Sequence, residues 1–99
     1  KPSRNSGLKS DTVVFKDDSI ISYIPEESGN AIFNTADEKD SNELMRIKNE
    51  LTNGKHSQIA FMKNNQRYIA SGEKIPSFNG TYIRLVNEKA LYSAPANLQ

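Results

Sequence analysis

His56 is the only histidine and cysteine is absent, which excludes thiolate zinc sites, thiol catalysis and a disulfide framework. A metal site would have to combine His56 with carboxylates, and none stands at helical or strand spacing beside it. Ser57 follows directly, but neighbours on a strand point to opposite faces, so the two do not make a nucleophile and its base. Two residues past Gly54, His56 suits a ring near the carbonyl end of a helix. The adjacent acids Asp17-Asp18 and Glu26-Glu27 fall on turns, where water screens them and turn geometry accounts for the aspartates. Asp37, Asp40 and Glu43 sit within the first turns of a helix. They lack the glycine and alternating oxygen donors of a calcium loop and match the positive end of the helix dipole. Gly7, Gly29, Gly54, Gly72 and Gly80 are too scattered to cradle a phosphate. Asn79-Gly80-Thr81 matches a glycosylation acceptor, but Asn-Gly ahead of an alternating strand is first a tight turn. This reading assigns no catalytic residue, no metal ligand and no cofactor.

Recognition chemistry is left. Lys63, Arg67, Tyr68, Lys74, Tyr82 and Arg84 fall on the C-terminal strands. Where Thr81, Ile83 and Leu85 face the core, Tyr82 and Arg84 share the outward face. Long cationic side chains can simply cover apolar surface there. Tyr and Arg are also enriched at binding hot spots, so Arg67, Tyr82 and Arg84 form the expected partner-contact surface. Four charges on a nearly neutral protein are few for nucleic acid, whose affinity comes mainly from neutralised phosphates.

These residues must be positioned by a single domain, because 99 residues leave room for one modest core. Hydrophobic residues make up 35% and charged residues 25%, below the globular average in apolar content, so much polar surface is expected. No apolar run approaches the length of a membrane span. The net charge of +1 is uneven: residues 1–16 carry +3, 17–50 carry −6 and 51–99 carry +4. The acidic middle fits a solvated loop and helix face better than a nucleic-acid mimic. Lys1 to Asp11 has the composition of a flexible tether, residues 12–93 form the domain, and 94–99 are tail.

One good helix is expected over about 41–53. Asp40 caps it with Glu43 at capping-box spacing, and Leu44, Ile47 and Leu51, widened by Met45, give it an apolar face. Asn53-Gly54 ends it, with glycine in the left-handed conformation. Short strands are expected at Thr12–Phe15 and Ser19–Ile24, turning at Asp17-Asp18 with Phe15 facing Ile20 and Val13 facing Ser22, and at Ala31–Asn34. After the helix, Ser57–Met62 and Arg67–Ser71 flank Asn64-Asn65. Both asparagines tolerate the positive φ of a type I′ turn, which sets Phe61 opposite Tyr68 and Ile59 opposite Ala70. A strand at Thr81–Val86 and a last one at Lys89–Ser93 complete the order β-β-β-α-β-β-β-β, although Glu-Lys-Ala-Leu also suits a helical turn. The fold class is α+β: an antiparallel sheet or partly open barrel of six to seven short strands under one helix.

A polar N-terminal segment, a short strand pair, Thr35-Ala36-Asp37 opening a helix that ends near Leu51, a hairpin turned by Asn64-Asn65, and a strand beginning Asn79-Gly80-Thr81-Tyr82 together resemble small surface lipoprotein domains of Gram-positive bacteria. The likeness lies in the order of elements over residues 12–86. It implies an exported, non-enzymatic domain, at the cell surface, outside the cell or in the periplasm, and held to membrane only through an anchor before Lys1. Composition alone leaves the cytoplasm open. The expected function is binding another protein, as an inhibitor, immunity or accessory protein does. Two alternatives are a single-stranded nucleic-acid module using Arg67, Tyr82 and Arg84, and a barrel in which Phe15, Phe33, Phe61 and Tyr68 line an apolar-ligand cavity.

Overall fold

The computed structural model describes residues 10–54 and 56–96. Five antiparallel strands, β1 (Ser10–Lys16), β2 (Ser19–Ile24), β3 (Gln58–Lys63), β4 (Gln66–Ile75) and β5 (Gly80–Asn87), form one open sheet in the order β2-β1-β5-β4-β3. Helix α1 (Glu38–Asn53) covers one face, and a second helix, α2 (Glu88–Ala96), follows β5 directly. The fold is therefore α+β on an antiparallel sheet, but with five strands instead of six or seven, and with an open sheet rather than a barrel.

Two expected strands are absent, for separable reasons. Residues 31–34 form an irregular loop, because the backbone donors that would have fed a ladder go to side chains. Ile32 N–H donates to Asp11 Oδ2 at 2.9 Å and Phe33 N–H to the Tyr23 hydroxyl at 3.1 Å. Residues 89–93 belong to α2: the helix-forming Glu-Lys-Ala-Leu run wins locally, and Asn87 Oδ1 accepts the Lys89 N–H at 2.9 Å as a cap. The expected last strand therefore does not form. The domain boundaries shift as well. Ser10 and Asp11, read as tether, open β1, and 94–96, read as tail, lie in α2; the remainder of both segments lies outside the described residues.

Helix α1 begins three residues earlier than expected. Its N-cap is Asp37, whose carboxylate accepts the Asp40 N–H at 3.0 Å, leaving Asp40 to accept Asn34 N–H at 2.8 Å and Lys63 Nζ at 2.9 Å. Glu43 meets Arg46 at 3.7 Å rather than completing a capping box. Gly54 does end the helix, but in extended conformation (φ −85°, ψ −178°) with its N–H on the Glu50 carbonyl. Leu44 and Ile47 are fully buried, and Leu51 and Met45 pack beside them. Val13, Phe15, Phe61, Ala70, Ile83 and Leu85 complete the core from the sheet. The Phe33, Phe61 and Tyr68 rings stack in series, with centroids 5.6 and 5.4 Å apart. A side chain on Gly72 would press on Leu51, its Cβ 3.1 Å from Leu51 Cδ1, so glycine lets α1 sit close over β4.

Between β3 and β4, Asn64 and Asn65 both hold positive φ (52° and 66°), and the Phe61–Tyr68 and Ile59–Ala70 pairings form as expected. In the first hairpin Phe15 pairs with Ile20, but a bulge between Val14 and Phe15 moves the register so that Val13 faces Tyr23, not Ser22.

Candidate functional site

The alternation of β5 decides which residues reach solvent on the face away from α1. Thr81, Ile83 and Leu85 are buried, while Tyr82 and Arg84 point the other way and are half-buried. Register places Ser71 opposite Arg84 and Glu73 opposite Tyr82 on β4, with Thr12 of β1 on Arg84's other side. Ser71, Glu73, Tyr82 and Arg84, with Ser10, Ser57 and Gly72, line an open groove of about 710 Å³. Arg84 Nη2 donates a long hydrogen bond, 3.5 Å, to Ser10 Oγ.

Arg67 is separated from this pair. It stands four positions along β4 from Ser71, roughly 13 Å by strand rise, and its Nε donates to Glu88 Oε2 of α2 at 2.9 Å. Lys63 leaves the strip altogether: it turns to the α1 side, pairs with Asp40, and lies 5.0 Å from the centre of the Phe33 ring. Ser10, Ser71 and Glu73 were missed by sequence reasoning. Ser10 was assigned to the tether, but the period of two that places Ile69, Ser71 and Glu73 on one face of β4 was available.

The remaining chemical candidates have structural employment. His56 and Ser57 are exposed. Asp17, at φ 52°, turns the first hairpin, accepts the Asn79 side-chain amide through Oδ1, and donates its N–H to the Asn79 carbonyl at 3.1 Å. Asp18 receives Lys48 Nζ at 2.7 Å. Glu26 and Glu27 are exposed on the loop after β2. Among the described residues no group of three or more His, Cys, Asp or Glu side chains is placed to hold a metal ion.

Asp11, read as part of the tether, is buried on the inward face of β1 with Val13 and Phe15. Its side chain is 3% exposed, and its carboxylate accepts from Tyr23 Oη at 2.5 Å, Glu26 N–H at 3.0 Å and Ile32 N–H at 2.9 Å. A buried carboxylate is tolerated when its lone pairs are met this way. The Tyr23 hydroxyl in turn accepts the Phe33 N–H, so Asp11 and its tyrosine tie Glu26, Ile32 and Phe33 of the connection from β2 to α1 onto the sheet. Burial first, and then the bond to Asp11, push the Tyr23 phenol well above its ordinary range. For Asp40, burial works against the charge, but the Asn34 N–H and the Lys63 ammonium outweigh it and hold the carboxyl below its ordinary value.

Comparison of the chain with protein-family models, with curated proteins and with solved structures finds no match. Among the described residues no helix is long and apolar enough to cross a membrane.

Proposed function

We propose that this domain acts by binding another protein through the sheet face opposite α1, with Tyr82 and Arg84 at the centre of the contact, as a non-enzymatic inhibitor, immunity or accessory module of the cell surface or exterior. The observation that carries this reading is the groove over β5. It presents a tyrosine and an arginine, the residue types that dominate binding hot spots, on a rigid central strand flanked by β1 and β4. Arg67 has no part in that centre and serves at most at its rim, since Glu88 holds it.

A nucleic-acid role is less well supported, because the three residues it would use are divided and Glu73 adds negative charge beside Tyr82. An apolar-ligand cavity is also less well supported, since Phe33, Phe61 and Tyr68 are stacked on one another and Phe15 is fully buried.

The test is capture of a partner from cell extract and culture medium by the immobilised chain, with bound protein identified by mass spectrometry. The double variant Tyr82→Ala with Arg84→Ala is expected to lose the captured protein while thermal unfolding stays within a few degrees. Equal capture by the variant refutes the assignment of this face.

A further inference from the structure

The outer groove does not end at Arg84. Arg84 and Ser71 also line a second depression of about 330 Å³, whose other walls are Ile69, Val86, Leu91 and Tyr92 with the polar Gln58 and Glu88, the latter held by Arg67. Tyr92, on α2, is 72% exposed. The two hollows share a wall, so one face carries a polar trough running into a shallow, partly apolar step beneath α2.

One arginine and one glutamate, Arg84 and Glu73, share this trough. Among the described residues Arg84 meets no carboxylate, whereas Arg46, Lys48, Lys63 and Arg67 each pair with one. Around Arg84 stand the hydroxyls of Ser10 and Ser71, groups that donate readily to a carboxylate. A guanidinium with free donors beside serine hydroxyls is suited to bidentate capture of a carboxylate. Glu73 in the same groove disfavours a run of phosphates or of acids and leaves room for one carboxylate, and Arg67 is already occupied.

We infer that the face takes an extended peptide segment of the partner, laid along β5, with a single aspartate or glutamate on Arg84 and a large apolar side chain against Ile69, Val86, Leu91 and Tyr92. Arg84 and Val86 are two residues apart on an extended strand, about 6.6 Å by strand rise, so an extended segment matches them with side chains two positions apart. The inference rests on the outer face being the binding surface and adds the chemistry of the occupant.

The test is selection from a displayed library of random twelve-residue peptides on the full chain, followed by fluorescence-polarisation titration of the enriched sequences. Enrichment of an acidic residue two positions from an aromatic or leucine is expected. Arg84→Ala should weaken binding about tenfold or more, Arg84→Lys should restore part of it, and Tyr92→Ser should weaken it several-fold. If Arg84→Ala fails to fold, changing the peptide's acid to its amide gives the same comparison with the protein untouched. Enriched peptides that lack an acid but depend on Tyr82 overturn the acidic occupant while leaving the face as the binding surface. Binding indifferent to Tyr82→Ala and Arg84→Ala alike overturns both. Salt-steep binding of an oligothymidine in preference to every peptide overturns the inference in favour of nucleic acid. Absence of enrichment overturns it too, with partner capture still judging the face independently.

Discussion

Asp11 shows how much one buried acid can organise. Its carboxylate takes three hydrogen bonds from a tyrosine and two backbone amides, and removing it strands those donors. Asp11→Ala is expected to destabilise the domain by about 3 kcal/mol in urea unfolding; a change under about 0.5 kcal/mol would show that water substitutes for the carboxylate. Tyr23 adds a pH signature. Its phenol is held neutral in the folded chain, so the stability it contributes is complete below the ordinary tyrosine value near 10 and is lost as pH climbs beyond it. The stability gap between wild type and Tyr23→Phe should therefore narrow in unfolding measured at rising alkaline pH. Asp40 has the opposite sign. Its lowered carboxyl contributes above the ordinary aspartate value, near 4, and that contribution fades as acid protonates it. Asp40→Asn should cost roughly 1 kcal/mol at neutral pH and progressively less as the pH falls below about 4.

At the level of elements, Leu44 and Ile47 are the firmest contacts of α1, and Leu44→Ala should cost about 2–5 kcal/mol. Phe33 gives the sharper test. It lies outside every strand and helix yet is 1% exposed and stacks on Phe61, so Phe33→Ala is expected to cost about 3–5 kcal/mol, unlike an ordinary loop substitution. What the sequence made legible follows the range of the interactions. The α1 stripe and the Asn64-Asn65 hairpin are encoded by neighbours three, four or two residues apart, and both form as read. The capping residue was misplaced because Asp37 and Asp40 offer the same chemistry three positions apart, and the second is claimed by the Asn34 N–H and by Lys63, distant in sequence. The supposed strand at 31–34 failed for a similar reason, since its amides are taken by Asp11 and Tyr23 from far along the chain. One signal was overlooked: Asp11 continues the inward alternation of Val13 and Phe15, where a polar residue demands a buried partner. For the site, the period of two on β5 revealed Tyr82 and Arg84, but separating Arg67 from them required knowing that α2 and Glu88 lie beside it.

On the scale of the whole molecule, the two faces of the sheet have divided labour. One is sealed by α1 over the aromatic stack, and the other is covered by α2 only toward Ile69 and Val86, which leaves β5 as rigid support for recognition. That support is assembled from distant parts of the sequence: β1 pairs with β5 along its full length, Ser10 with Val86 through to Lys16 with Gly80. A chain cut after Asn79 should accordingly lack both cooperative melting and protected amides in β1, as hydrogen exchange would reveal. During synthesis the early hairpin of β1 and β2 must wait, its inner edge unsatisfied, until residue 87 has cleared the ribosome. Between the emergence of β2 and that of β5 such a nascent chain is exposed to mispairing, and the sheet closes only once β5 has arrived.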